Sequence, residues 1–519
     1  SDNSGTTATT LGKDSSGNGN NFTPNNFSVA AGKDDDSSFD SPTNNFPTLN
    51  PLSKSSEPTL TNGNLRWYYN YKPASKTARA TMALPSTGKI YMEWENEQAS
   101  SQAGRMSWGL VRYASQSSTY DYQAYNNVDY INISFGGSTW NGTTHISGSW
   151  PSFTFYTGER AALAIDCSNG KWWVGKVASN GSTTWYANDG GTDGDPAGGT
   201  NESATLPSFT TATEWIPFVG WHDGGGAVTQ QFSANINFGN HSFLGTVPNG
   251  FDKLCSANLP DPTILLPNKH FAAFTYTGSG SSGDVVNITN SDVDFTPDWV
   301  WVKSRATTNN HILTDAVRGG TKYLNSASTG AEVTDTDTVR DFLQGGFESG
   351  TDGDTNWPSR TFVAWNWNGG GSTVTNNDGS ISSQVRANTS AGFSIVGYTG
   401  INGAGTIGHG LGVAPRAVII RRRDSASDWA VFHAEVGNTK RLVLNSTAAE
   451  SSANSSFFNN TSPTSTTISL GSDAGTGGST DNYIVYAFSE VAGYSKFGKY
   501  TGNGNDNGAF VFTGFRPAW

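Results

Sequence analysis

The chain repeats itself at a long period. Phe274-Thr-Tyr-Thr-Gly278 returns as Val396-Gly-Tyr-Thr-Gly400 and again as Gly498-Lys-Tyr-Thr-Gly502, so Tyr276, Tyr398 and Tyr500 stand 122 and 102 residues apart. Each is followed by a proline-led run: Thr296-Pro-Asp-Trp-Val-Trp-Val-Lys303, Ala414-Pro-Arg-Ala-Val-Ile-Ile-Arg421 and the short Arg516-Pro-Ala-Trp519. Tyr323-Leu-Asn-Ser326 matches Val443-Leu-Asn-Ser446, and the pair Trp365, Trp367 matches Tyr486, Phe488. Repeats this long are domains, unlike the units of about 20–50 residues that stack into solenoids. Two complete copies and the start of a third fit the spacing.

Composition decides what kind of domain is repeated. Charged residues are only 14% and aromatic residues 12%, with 62 Gly among many Ser, Thr and Asn. That balance excludes a helical bundle and wholesale disorder, and suits strands whose burial rests on rings. The first half agrees. Lys89-Ile-Tyr-Met-Glu-Trp-Glu95 alternates with period two, placing Ile90, Met92 and Trp94 on one face and Glu93 and Glu95 on the other. Met106–Val111, Arg160–Ile165, Lys171–Val174, Trp215–Val219 and Phe232–Phe238 follow at hairpin intervals. The expectation is an all-β chain of tandem antiparallel β-sandwiches. Short helices are expected only near Asp337–Leu343 and Ser446–Phe457.

A net charge of -12 opposes docking on phosphate backbones, so no nucleic-acid partner is expected. No stretch approaches the about 20 apolar residues of a helical membrane span, and no membrane insertion is expected. Cys167 and Cys255 allow at most one disulfide. Residues 1–64 are polar and turn-rich, punctuated by Phe22, Phe27, Phe39 and Phe46, and read as an extended arm whose single rings dock on a neighbouring surface. No cofactor is expected. Asp34, Asp35 and Asp36 could hold Ca²⁺, with a solvated turn as the plainer reading.

Two resemblances follow from particular phrases. Gly88–Glu95, Trp108-Gly-Leu-Val111, Gly158-Glu-Arg-Ala-Ala-Leu-Ala-Ile-Asp166, Asn169-Gly-Lys-Trp-Trp173 and Ile236-Asn-Phe-Gly-Asn240 resemble the ordered landmarks of a SPRY (B30.2-like) domain over about 180 residues. That resemblance implies a jelly-roll or SPRY/concanavalin-like sandwich whose loops at one end bind a partner. Asp14–Pro24, Ser41–Pro51, Gly408-His-Gly-Leu-Gly-Val-Ala-Pro415, Val491–Gly498 and Thr513-Gly-Phe-Arg-Pro-Ala-Trp519 resemble phrases of large virion structural proteins of marine bacteriophages. This second likeness covers almost the whole chain. It implies a particle or fibre component, a virion-surface or extracellular location, and ends that are interior points of a longer polypeptide.

The resulting division is an arm at 1–64, a SPRY-like sandwich at 65–246, a linker at 247–268, a first copy at 269–370, a linker at 371–390, a second copy at 391–497, and at 498–519 a third beginning or an exchanged strand. Tyr500, Phe510, Phe512, Phe515 and Trp519 are the candidate assembly residues of that last piece.

Chemistry leaves little trace. Gly278, Gly280 and Gly283 satisfy Gly-x-Gly-x-x-Gly, but a strand-like run follows where a dinucleotide site needs a helix. No nucleophile elbow, Walker loop or His-Glu-x-x-His pair occurs. His409 reads as a turn histidine bonded to backbone, Glu93 and Glu95 as a solvated strand face, and Arg421-Arg422-Arg423 as a strand end meeting nearby acids. Tyr120, Tyr122, Trp140, Trp221, His222, Asp223 and Trp357 lie in Trp-, Asn- and Asp-rich segments with the composition of sugar-binding surfaces, and are the candidate ligand contacts.

The expectation is therefore a non-enzymatic virion structural protein, a tail-fibre, receptor-binding or capsid-surface fibre component. Its partners would be other virion proteins or copies of itself, and a host-surface glycan or protein bound multivalently. Two alternatives stand beside it: a self-assembling extracellular filament or matrix protein joined by strand exchange, and a polysaccharide depolymerase.

Overall fold

The computed structural model describes the chain except residues 1–4, 15, 29–37, 42, 71–75, 98–105, 113–129, 135–138, 142–143, 146–158, 190, 206–214, 222–230, 288–294, 479, 503, 507 and 518. The fold is all-β, with almost every pair of neighbouring strands antiparallel. The described residues gather into two compact units, residues 1–260 with 500–514, and residues 261–499 with 515–519.

The first unit is a two-sheet sandwich. One sheet runs in the order Leu49–Lys54, Lys76–Ala80, Trp215–Trp221, Met106–Arg112, Tyr130–Ser134, Thr139–Asn141, Thr144–His145. The other runs Thr183–Tyr186, Lys171–Val177, Arg160–Asp166, Lys89–Asn96, Gln231–Asn237, Arg66–Asn70, Thr59–Thr61. Period two does what it promised: Ile90, Met92 and Trp94 enter the core, and Trp94 stacks on Trp108 with centroids 4.6 Å apart. The core also takes Trp67, Trp172 and Trp215, so rings fill the volume that aliphatic runs fill elsewhere.

The second unit contains both copies of the repeat. In the first copy the large sheet runs Phe271–Thr277, Thr361–Trp367, Trp299–Ser304, Ile312–Asp315, Lys322–Leu324, Val333–Thr334. A small sheet of Asp284–Asn287, Gly346–Ser349 and Val339–Leu343 faces it. The second copy keeps that order with Phe393–Thr399, Asn482–Phe488, Ala417–Arg422, Ala430–His433 and Leu442–Val443, and its small sheet pairs Gly405–Gly408 with Thr467–Leu470.

The repeated Tyr-Thr-Gly phrase now has a physical reason. The Tyr276 hydroxyl donates to the Thr355 carbonyl at 2.6 Å and its ring stacks on Phe362, while the Tyr398 hydroxyl donates to the Thr476 carbonyl and its ring stacks on Tyr483. Each tyrosine buries a ring and uses its polar end to hold the loop ahead of the copy's last strand.

Both faces of each large sheet are covered. Val300, Val302, Phe362 and Ala364 face the first copy's small sheet, and Val418, Ile420, Tyr483 and Val485 face the second's. The alternate residues, Trp299, Trp301, Trp365 and Trp367 from one copy and Ile395, Ala417, Ile484, Tyr486 and Phe488 from the other, meet in a shared aromatic core. Trp299 stacks on Trp367 at 4.2 Å and on Tyr486 at 4.1 Å. The unit is thus four layers deep, small sheet, large sheet, large sheet, small sheet.

Several boundaries differ from the sequence reading. Residues 49–54 and 59–61 of the expected arm are sheet strands, because Phe46 and Leu49 have apolar sites to fill. Phe22, Phe27 and Phe39 remain exposed, Phe39 lying under the Lys253 ammonium. In the expected linker 247–268, Phe251 and Leu254 are buried and Asp252–Lys253 pairs with Ile90 and Tyr91. Residues 371–390 also make sheet: Val374–Asn376 and Ser383–Asn388 form a hairpin on the edge strand Phe393–Thr399, since Val385 is an apolar residue with a core to enter. Of the two expected helices, one is the strand Val339–Leu343 and the other a single turn, Ser455–Phe458, capped by the Asn454 side chain.

The described residues of 498–519 form no strand. Tyr500 and Trp519 are exposed and Phe510 and Phe515 half-buried. Phe512 packs against the first unit's core, and the Trp519 ring lies 5.1 Å from Trp367 and 6.3 Å from Phe271. The candidate assembly segment is placed by its aromatic side chains and not by a backbone ladder.

Candidate functional site

Of the expected ligand contacts, Tyr120, Tyr122, His222 and Asp223 lie outside the described residues, as do Asp34, Asp35 and Asp36. Trp140 pairs with His145 and Asn132, and Trp221 with Lys76 and Met106; their side chains lie outside the described set. Trp357 is fully placed. It sits in the loop between Gly346–Ser349 and Thr361–Trp367, 48% exposed, with the Arg360 guanidinium over its ring at 4.7 Å. The same loop carries Asp352 and Asp354, and Asn309 donates to the Gly353 carbonyl at 2.9 Å. Burial raises the Asp354 carboxyl, with the Asp352 charge adding to it. A Cβ on Gly353 would meet the indole at 3.1 Å, so glycine lets the loop lie against the ring. The result is an outward indole with amide, guanidinium and carboxylate groups nearby, able to stack a ring and hydrogen-bond hydroxyls.

The Glu93 and Glu95 face is not solvated. Residues 243–251 lie over it through Phe243, Leu244, Val247 and Phe251, which pack with Tyr91 and Trp173. Glu93 is wholly buried and accepts from the Tyr91 hydroxyl, the Arg160 guanidinium and the amides of Leu244 and Gly245 at 2.8–3.0 Å. Four donors occupy its lone pairs, so it fixes the covering segment in place. Arg160 also approaches Glu95 at 3.6 Å. A small cleft of about 20 Å³ is lined by Glu93, Glu95, Arg160, Asn235 and His241. Beside it, burial would raise Glu97, but hydrogen bonds from Arg66, Ser233 and Asn235 outweigh it and hold the carboxyl at about 2.

A second buried network joins the two copies. Asp315 pairs with Arg318 at 2.5 Å and accepts from the Tyr486 hydroxyl at 2.8 Å; Arg318 also reaches Glu332, which is forked by Arg423 at 2.8 Å. Sequence reasoning missed Arg160, Asp315, Arg318 and Glu332. Arg160 meets Glu93 from 67 residues away and Arg423 meets Glu332 from 91, so neither pair gives a local signal, and the three-residue spacing of Asp315 and Arg318 does not by itself mark a buried pair.

The remaining motifs resolve plainly. Gly283 leads into the strand Asp284–Asn287, with no helix behind it. Leu411 donates its amide to His409 Nδ1, so Nε2 carries the proton toward the Thr464 carbonyl, and burial lowers the ring's pKa. Arg422 pairs with Asp481 and Arg423 with Glu332, whereas Arg421 bonds the Gly330 carbonyl and lies 5.5 Å from the Trp429 ring, burial holding it down to about 10. Among the described residues no cluster of His, Cys, Asp and Glu could hold a metal ion, and no helix is long and apolar enough to cross a membrane.

Residues 266–519 match the family model DUF7483, described as a domain of unknown function. The match takes both copies together, as their shared core does. None of the curated proteins matches the chain. Similar solved structures include the SPRY domain of human HERC1, at 11% identity and a TM-score of 0.25 over 36% of this chain and 96% of that one. The PSpry domain of TRIM65 follows at 9% identity and 0.23, over 37% and 91%. Stonustoxin is similar at 11% identity and 0.24, over 37% and 27%. At these scores the likeness carries no argument, and the sandwich rests on the chain's own strand order.

Proposed function

We propose that the chain is a non-enzymatic structural and adhesion protein of a phage particle, a fibre or receptor-binding component that meets a host-surface glycan or protein through loops of rigid β-sandwiches. The observation that carries the reading is the duplication. Two copies with one strand order, fused through an aromatic layer, make a stiff body that holds its loops in fixed places. Fixed, linked sites raise the effective concentration of the second contact once the first is made. The phrases that resemble those of marine-phage virion proteins support the particle location. Trp357, exposed and flanked by Arg360, Asp352 and Asp354, is the described residue best suited to stack on a sugar.

Mass spectrometry of purified virions tests the location, and a particle preparation without the chain would overturn it. Adsorption of the full chain to host cells tests the contact, with Trp357→Ala expected to lower it. Release of reducing sugar from host capsule would instead make the protein a depolymerase.

A further inference from the structure

Sheet edges offer unpaired amides and carbonyls to any strand that reaches them, and proteins usually shorten, charge or cover such edges. Among the described residues, the second unit's large sheets follow that practice at three of their four ends. Val333–Thr334 and Leu442–Val443 are two residues long, and Val374–Asn376 is three. The fourth end is Phe271–Thr277, seven residues of Phe-Ala-Ala-Phe-Thr-Tyr-Thr without charge or proline. Its counterpart in the second copy, Phe393–Thr399, is covered by the strand Ser383–Asn388.

Among the described residues, the ladder shows which groups have no strand partner. Asn368 donates to the His270 carbonyl and Gly278 to the Arg360 carbonyl, so in this antiparallel pair the even-numbered residues bond inward to Thr361–Trp367. The amides and carbonyls of Phe271, Ala273, Thr275 and Thr277 therefore point away from the sheet. The side chains of Ala273, Thr275 and Thr277 are exposed.

We infer that this edge joins a second copy of the same chain, strand against strand and antiparallel about a two-fold axis at Phe274. In that register Ala273 faces the partner's Thr275 and Phe271 faces its Thr277, the pairs whose backbone groups are free. Phe274 meets its own symmetry mate as an aromatic cross-strand pair. A strand without charge meets itself without like-charge repulsion, and a two-fold edge contact is closed, ending at a dimer with one continuous sheet across both molecules. The inference is independent of the phage reading, since it needs only the edge.

Sedimentation equilibrium of the full chain tests it. The wild type is expected to dimerise, and the amides of Ala273 and Thr275 to gain hydrogen-exchange protection as concentration rises. The double variant Ala273→Lys, Thr275→Lys sets four ammonium groups side by side at the contact and is expected to be monomeric and to melt at the temperature of the wild type diluted to its monomer, because both side chains are already exposed. Ala273→Cys with Thr275→Cys is expected to cross-link under mild oxidation. A wild type that stays monomeric at its solubility limit overturns the inference. So does a dimer that survives the lysine pair.

Discussion

The two copies in the second unit agree in strand order and differ in what they bring to their common boundary. The first supplies Trp299, Trp301, Trp365 and Trp367 to the shared layer, where the second supplies Ala417, Ile419, Tyr486 and Phe488. Bulky indoles on one side meet smaller groups on the other, which is how facing layers interdigitate without voids. The edges differ too, since a hairpin covers one and none of the described strands covers the other. Duplication followed by unequal change has turned two like sandwiches into complementary halves, and neither half has its outward sheet face satisfied alone.

The strongest way to break that complementarity is Trp299→Ala. The indole is fully buried against Trp367, Tyr486 and Phe393, and its loss is expected to cost about 3–5 kcal/mol. Because the core is shared, calorimetry is expected to show both copies melting in one transition at a lower temperature; two separate transitions would contradict a common layer. Next comes Tyr486→Phe, which removes the hydroxyl bonded to the Asp315 carboxylate across the boundary. It is expected to cost about 1.5–3 kcal/mol in urea unfolding while leaving the ring stack in place.

Ala417→Trp gives the second copy the residue found at the matching place in the first. If the halves are complementary and not interchangeable, overpacking is expected to destabilise the unit by about 1–3 kcal/mol, and a stability gain would argue for a loosely filled layer.

A smaller effect concerns pH. Burial pushes the Asp298 carboxyl up to about 6, against the pull of Arg386 from the second copy's hairpin and of the Gly369 amide. The folded value lies above the ordinary 3.8, so the group's contribution to stability is complete below that pH and is lost as pH rises through about 6. Asp298→Asn is expected to flatten the stability profile in that window. Smallest is Trp357→Ala, whose exposed ring is expected to change stability by no more than about 0.5 kcal/mol, so that lowered host adsorption would report contact and not misfolding.

The repeat, the strand class and the inward set Ile90, Met92 and Trp94 were legible because they follow from local period and spacing. The four-layer stack was not read, although Asn482-Tyr-Ile-Val-Tyr-Ala-Phe488 carries a hint of it: an apolar run without alternation marks a strand buried on both faces. The Ser-, Thr- and Asn-rich stretch 371–390 reads as a linker since only Val374, Ile381, Val385 and Ala387 are apolar, and pairing, not composition, makes it sheet. Glu93 misled for a related reason. Alternation tells which face a side chain takes, but whether that face meets water depends on Phe243 and Phe251, about 150 residues away. Of the candidate contacts, Trp357 was legible as an indole in a polar turn; its Arg360 partner follows from loop geometry that no spacing rule contains.

In both copies the strand made last is the one that lies in the middle. Thr361–Trp367 is inserted between Phe271–Thr277 and Trp299–Ser304, and Asn482–Phe488 between Phe393–Thr399 and Ala417–Arg422. During synthesis the flanking strands leave the ribosome first and wait without a neighbour, so neither large sheet closes until its final strand emerges. Folding of this body is therefore governed by long-range pairing and is slow for its size, and the waiting strands present open edges through that interval.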